Sequence, residues 1–218
     1  IKYILEKSFY LAHSGRPGPV LIDIPMNFQK EDINLKEIRS FNPPRQQSIK
    51  KNKLIRDINK LKDLLIKSKR PVLILGGGVR ASNAVNNLYK FLHNFKLPIV
   101  TTWSGMDLID YKNINYIGCI GVYGSRAANF TIQNADLIIN LGSRLDTRVT
   151  GGRPSTFARG AKIISVDIDK YELNKNRGLK IYLKINYDLN IFLKFLNNKL
   201  KNFKYLADKD WSAKVKIW

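Results

Sequence analysis

Apolar side chains recur at helical spacing near the start of the chain, at Ile4, Leu5, Phe9, Leu11 and Ala12, which predicts a helix over 2–13. Ser14-Gly-Arg-Pro-Gly-Pro19 ends it, since glycine and proline interrupt a helix twice within six residues. Residues 20–24 form a short apolar run broken only by Asp23 and closed by Pro25, a pattern that suits a buried parallel strand. From residue 26 to about 48 the chain is polar and aperiodic, with Pro43-Pro44 and Gln46-Gln47, and a domain boundary is expected inside it.

Beyond residue 50 the pattern alternates. Residues 54–66 predict an amphipathic helix, and Pro71-Val-Leu-Ile-Leu75 a strand that runs into three glycines. Ser82 is the expected N-cap of a helix reaching residue 95. Strands are expected at 98–101, 136–141 and 161–166, a short helix at 127–134 and a closing helix at 187–200, with a looser glycine-containing stretch between 105 and 124. Strands separated by helical segments are βαβ units. The fold class is therefore α/β: a doubly wound, Rossmann-like parallel sheet of about six strands with helices on both faces. The organisation expected is 1–30 as the end of a preceding α/β domain, 31–49 as a linker, 50–202 as a central nucleotide-binding-like domain, and 203–218 as the start of a connection to another domain. The chain opens at Ile1 inside a helical pattern, with no leader segment to remove, and is read as a piece of a longer polypeptide.

Charge changes the picture less than its size suggests. With 38 Lys+Arg against 17 Asp+Glu the net charge is +21, which raises the question of nucleic acid. The lysines, however, are scattered through 50–69 and 194–204 among Leu, Ile, Asn and Asp at amphipathic spacing, the mark of solvated helix faces. Neither stretch interleaves aromatic and basic residues as a stacking platform does, so no nucleic-acid partner is expected, only loose adhesion to polyanions at low salt. Apolar residues at 44% and aromatics at 11% exclude a disordered chain. No apolar run approaches the roughly 18–20 residues of a membrane span, and no membrane partner is expected. A single cysteine, Cys119, and two histidines, His13 and His93, leave no zinc-ligand spacing, so no metal site is expected and a reducing, cytoplasmic setting is.

Three regions carry candidate chemistry. Gly76-Gly77-Gly78-Val-Arg-Ala81 follows a strand and opens a helix, the turn in which glycines let backbone approach a phosphate. A nicotinamide site would place an acid at the end of the next strand, where Thr101 and Thr102 stand instead, and a tight turn with no ligand is the competing reading. Gly121-Val-Tyr123-Gly124-Ser-Arg126 precedes a helix, and Gly142-Ser143-Arg144 closes a strand. An arginine there can grip a phosphate or carboxylate bidentately. Arg148, Arg153 and Arg159 follow, Arg159 being read as a loop tie. Asp167-Ile168-Asp169 ends another strand. Asp167 is the candidate acceptor for ribose hydroxyls, and Asp169 is either a ligand contact or a helix cap. Ser14, Ser104 and Ser143 have no histidine in any plausible motif. No catalytic residue is expected; the chain binds rather than reacts.

Taken in order, these motifs bring a family into view. Ser14-Gly-Arg-Pro-Gly-Pro-Val-Leu-Ile-Asp-Ile-Pro25 resembles the end of the first domain of thiamine diphosphate-dependent enzymes of the acetolactate synthase type. Residues 71–78, 129–144, 148–151 and 161–169 are similar to that family's middle domain. The resemblance implies a parent enzyme of three α/β domains: a first that binds the cofactor's pyrimidine, this middle one, and a third that binds diphosphate and Mg²⁺. It implies a homodimer or tetramer holding thiamine diphosphate between subunits, acting on a 2-keto acid in branched-chain amino acid biosynthesis as a transferase or lyase. It further implies FAD in the middle domain, lined by Arg16, the region from Tyr123 and Gly124 to Arg144, and Asp167. Tyr123 replaces the family's usual His, and Ser104-Gly105-Met106-Asp107 replaces Gly-Leu-Gly, so FAD and ADP stand as the two candidate ligands. Gly76, Gly77, Gly78, Thr101, Arg126, Gly142, Ser143, Ile168 and Asp169 complete the expected site. The family's activating Glu and Gly-Asp-Gly motif are not found in the sequence, so the chain alone is expected to be inactive. The alternative is a non-catalytic nucleotide-binding or assembly module; the absence of a His after a strand and of zinc cysteines counts against a third reading, an NAD-dependent deacetylase.

Overall fold

The computed structural model describes residues 1–34, 36–44, 50–176 and 178–218. It divides into two units, Ile1–Ile49 and Lys50–Trp218. Gln46-Gln47, part of the expected linker, lies outside the described residues.

The first unit holds helix α1 (Lys2–His13) and the single turn α2 (Met26–Gln29), neither with a buried residue. Its tightest feature is a clip on α1. The ring of Phe41 meets Tyr3 and Tyr10, one face apart at i and i+7, with centroids 5.6 and 5.4 Å away. The Phe41 N–H donates to Glu6 Oε2 at 2.7 Å, which fixes the register of the clip. Residues 20–24 correct the sequence reading. They are extended but form no strand, and Leu21 is 95% exposed. An apolar run becomes a strand only when another strand supplies hydrogen bonds, and no described residue of this unit does.

The second unit follows the chain as α3 (Lys51–Lys67), β1 (Pro71–Leu75), α4 (Gly78–Ala81), α5 (Val85–Asn94), β2 (Phe95–Lys96), β3 (Ile99–Thr101), β4 (Tyr116–Cys119), α6 (Arg126–Asn134), β5 (Leu137–Leu141), α7 (Thr147–Thr150), β6 (Lys162–Asp167), α8 (Lys170–Asn174), β7 (Leu183–Asn186), α9 (Leu189–Lys199), β8 (Tyr205–Leu206) and α10 (Lys209–Ile217). Six strands form one sheet in the order β4-β3-β1-β5-β6-β7, every pair parallel. Counted along the chain within that sheet, the order is 3-2-1-4-5-6, that of a doubly wound dinucleotide fold. A second, two-stranded sheet pairs β2 with β8.

β1 and β5 are buried at every position, which is why Pro71-Val-Leu-Ile-Leu75 and Leu137-Ile-Ile-Asn-Leu141 read as apolar runs rather than alternating ones. Helices α3 and α5 pack with α9, and α6 packs with α10. Residues 203–218, expected as connecting chain, are folded onto this unit: Trp211 and Val215 of α10 are buried, and the Trp211 indole N–H donates to the Pro71 carbonyl at 3.1 Å.

Ser82 is not an N-cap. It is the C-cap of α4, its hydroxyl donating to the Val79 carbonyl, and Asn83 turns the chain at φ 53° before the expected helix begins as α5 at Val85. Asparagine is among the few residues that enter the left-handed region at low cost, so the turn falls there. β4 and β7 escaped the sequence reading because both are short edge strands, β4 carrying Gly118 at φ 134° and a register shift against β3.

Asp57 is the exception in the α3 interface. It lies among Leu54, Ile58 and Leu61, is 7% exposed, and its Oδ2 has no hydrogen-bond partner among the described residues. Burial pushes its carboxyl above the ordinary range, against the pull of Lys53, Lys60 and Arg56. Ionising Asp57 therefore costs stability. The cost is absent below the ordinary carboxyl value near pH ~4 and complete once the pH passes the raised folded value. Asp57→Asn is expected to melt higher than wild type near neutral pH, by roughly 2–4 °C per kcal/mol relieved, with the gap closing as the pH falls to about 4. Melting curves across that range check it, and a lower melting temperature at neutral pH sinks it. Trp211→Phe loses the indole bond and part of the packed ring, so about 1–3 kcal/mol of stability is expected to go, while Trp211→Ala loses about 3–5 kcal/mol; denaturant titration compares the two.

Candidate nucleotide site at the carboxyl edge

Register brings the sequence-predicted residues to one edge. Leu75 pairs with Thr101 and with Leu141, and Leu141 pairs with Val166, so the turns after β1, β3, β5 and β6 all leave the sheet on the same side. Gly76 to Gly78, Thr101, Gly142 to Arg144 and Asp167 thus share the carboxyl edge, where open α/β sheets bind ligands. The switch point lies between β1 and β5.

That crevice is closed by the backbone itself. The Gly76 N–H donates to Leu141 O at 2.9 Å and the Gly78 N–H to Gly142 O at 3.0 Å. A Cβ on Gly76 or Gly78 would run into the Gly142 backbone. These glycines serve close approach of two loops, and the amides of Gly76 and Gly78 are engaged within the chain rather than pointed at a phosphate. Gly77 sits against Ser104, where a Cβ would lie 3.0 Å from its Oγ. Beside the turn, Arg80 forms an ion pair with Asp107, both partly exposed.

On the β3–β4 side, Thr101 is fully buried with its hydroxyl 3.1 Å from the Tyr116 OH, which takes it into the core. Gly121 is gripped by the Asn129 amide, Oδ1 accepting its N–H at 2.9 Å and Nδ2 donating to its carbonyl at 3.0 Å. Gly124 closes the turn by donating to Gly121 O. Ser125 caps α6 by accepting the Ala128 N–H, and Arg126, the next residue, lies over the Phe130 ring at 5.3 Å. Tyr123 and Trp103 form an exposed aromatic pair, 79% and 64% accessible with centroids 5.7 Å apart.

The β5–β6 side is more polar. Arg144 is about half exposed and lies 4.0 Å from Asp146, which caps α7 by accepting from the Arg148 and Val149 N–H groups. Ser143, Arg144, Ser165, Asp167, Glu172 and Lys175 line a cleft of about 30 Å³. That holds one or two waters, not a nucleoside, so a nucleotide would lie across its mouth with only hydroxyls or phosphate oxygens reaching in. Asp167 accepts the Asp169 N–H at 2.9 Å, and Asp169 accepts from Tyr171 and Glu172 as the N-cap of α8. The cap, one of the two readings offered for Asp169, is thus present in the structure. Ile168 is 37% exposed beside them. Arg16 belongs to the first unit.

Cys119 does not add a nucleophile: burial pushes its thiol up, only partly offset by hydrogen bonds with Thr101 and the Ile120 carbonyl. Among the described residues no group of three His, Cys, Asp or Glu side chains is placed to hold a metal ion, and no helix is long and apolar enough to cross a membrane.

Residues 58–196 match the family described as thiamine pyrophosphate enzyme, central domain. The chain belongs to that family. The acetolactate synthase large subunit of Cyanidium caldarium is 36% identical over 225 residues, covering all of this chain and 38% of the relative. Acetolactate synthase isozyme 2 large subunit of Escherichia coli K12 is 35% identical over 92% of this chain and 35% of its own length. The acetolactate synthase large subunit of Lactococcus lactis is 36% identical over 80% of this chain and 30% of its own length. The chain therefore spans about a third of these relatives.

Sequence reasoning did not find Trp103, Asp146, or the amides of Asn129, Asn140 and Asn186 that hold this central domain's edge loops. Only Asp146 left a legible trace, a cap residue ahead of Thr147-Arg-Val-Thr150. At the switch point, Gly142→Ala tests the closure. Gly142 has φ 67°, and an added Cβ would stand 2.8 Å from Gly78 Cα and 2.6 Å from Leu189 Cδ1. A loss on the order of 2 kcal/mol or more is expected in denaturant titration; a neutral substitution would show that the loops are free to part.

Proposed function

We propose that this chain is the central part of an acetolactate synthase-like enzyme, one that decarboxylates a 2-keto acid and condenses the product with an acceptor. Its own task is to hold a nucleotide, FAD or ADP, at the carboxyl edge. The observation that carries the reading is Gly142-Ser143-Arg144 standing beside Asp167 in a chain whose family is that of thiamine diphosphate enzyme central domains. When bound, thiamine diphosphate supplies the electron sink for the decarboxylation. No residue described here is assigned to it.

The fit to a nucleotide is uneven along the edge. Arg144 would pair with the diphosphate, Ser143 and Asp167 at the mouth of the cleft would meet phosphate oxygens and ribose hydroxyls, and Tyr123 with Trp103 offers an aromatic surface to a flat ring. Gly76 and Gly78 do not contribute phosphate-binding amides, because Leu141 and Gly142 already take them. Arg126, resting on Phe130, would have to leave that ring to reach a ligand. The parent enzyme is proposed to work as a homodimer or tetramer in the cytoplasm, with Mg²⁺ bound outside this chain.

Two outcomes test the proposal. FAD or ADP should raise the melting temperature of the chain, and Arg144→Ala should remove most of that shift. A charge-assisted hydrogen bond contributes roughly 1.5–3 kcal/mol, or about tenfold or more in affinity. Both ligands need more than one salt concentration given the +21 charge, and inorganic polyphosphate serves as control. A shift from polyphosphate as large as from either nucleotide would reduce the site to a basic patch. Separately, the 218-residue chain supplied with thiamine diphosphate and Mg²⁺ should consume no pyruvate; measurable turnover refutes the assignment of its role.

A further inference from the structure

The turn that carries Arg144 is strained at one residue. Gly142 before it has φ 67°, which glycine adopts freely, but Leu145 after it has φ 49°, a conformation that costs a non-glycine residue free energy and persists only when the surroundings hold it. One support is local: the Leu145 N–H donates to Ser143 Oγ at 3.2 Å. The other comes from inside the sheet. Asn140, fully buried on β5, donates its Nδ2 to the Ser143 carbonyl at 2.6 Å and to Ser165 Oγ at 2.9 Å on the neighbouring strand. Its Oδ1 is buried without a partner among the described residues. An amide in the middle of an otherwise apolar strand, with half its hydrogen-bonding capacity unmet, is a cost to the core. Packing alone would favour a leucine there.

We infer that Asn140 is the positioning residue of the anion-presenting turn: by holding the Ser143 carbonyl from below, it fixes the direction in which Arg144 leaves the sheet. The inference rests on the nucleotide reading given above and deepens it. The same device recurs along the edge. Asn129 grips Gly121 after β4, and Asn186 donates to the Asp167 and Ile168 carbonyls after β6, at 3.0 and 2.7 Å. The loops after β4, β5 and β6 are thus each held by a side-chain amide standing in for a strand partner.

The test separates positioning from packing. Asn140→Leu keeps the branched shape at a larger volume and removes both the donor and the buried orphan oxygen; Asn140→Ala removes the donor and leaves a cavity; Ile138→Val on the same strand is a control that touches no loop. For each, three quantities are measured on the 218-residue chain: melting temperature, affinity for ADP and for FAD, and amide exchange at residues 143–145. Asn140→Leu should still unfold in one cooperative transition yet exchange faster at Leu145 than its change in melting temperature accounts for, and bind the better nucleotide about tenfold more weakly, the scale of one lost orienting hydrogen bond. Asn140→Ala should show the same loss together with a lower melting temperature, and Ile138→Val should keep its affinity within about twofold. Wild-type affinity and wild-type exchange in Asn140→Leu would overturn the inference, leaving Asn140 as a core residue only. If wild type binds neither nucleotide, the functional reading fails by itself, and exchange decides this inference alone: faster exchange at Leu145 supports it and unchanged exchange overturns it.

Discussion

The carboxyl edge depends on one backbone contact, the Gly78 N–H on Gly142 O, with the Gly76 N–H on Leu141 O beside it. It forms only because none of the three glycines has a side chain, so the turn after β1 lies directly on the turn after β5. The consequence is chemical as well as mechanical. In a doubly wound sheet the switch point is where a ligand's phosphates are expected to meet free amides, and here the protein has turned two of those amides inward. Binding capacity moves outward, to the half-exposed Arg144 and the Asp167 cleft on one side and to Trp103 and Tyr123 on the other.

Loops leaving an apolar sheet need donors and acceptors from somewhere, and after β4, β5 and β6 this chain supplies them as asparagine side chains rather than as ladder bonds. Asn129, Asn140 and Asn186 each bond the backbone of a different loop. Their value lies in position. A bond from a rigid strand or helix to a loop carbonyl costs little entropy when the loop is already constrained at both ends, and it keeps polar groups aimed at a fixed point. The rest of the second unit serves as the platform: α10 is tied to the start of β1 through Trp211, and β1 and β5 are buried along their whole length. Asp57 shows that the platform tolerates an unfavourable group away from the edge.

Much of this was legible along the chain. The runs read at 71–75, 136–141 and 161–166 declare themselves as strands because a strand buried on both faces is mostly apolar, and their alternation with helices leaves little but a parallel, doubly wound sheet. The family motifs follow for the same reason: they sit where strands end. The edge strands Tyr116–Cys119 and Leu183–Asn186 were not legible, since a short strand covered on few sides need not be apolar. The run at 20–24 misled in the opposite direction, its composition being right for a strand that no described neighbour completes.

The sequence by itself determined which segments are apolar enough to build the sheet, where they stop, and therefore which residues gather at one edge. Tertiary structure decided what those residues do there. Gly76 and Gly78 close a crevice instead of opening one, Thr101 points into the core, Asp169 caps a helix, and Asn140 holds a turn through Ser143 and through Ser165, 25 positions away. The physical reason is that strand formation follows from hydrophobicity, a property each residue carries alone. The use of a donor or acceptor depends on which partner the fold brings within about 3 Å, and for Gly76, Thr101 and Asn140 a partner comes from another strand or the loop after it.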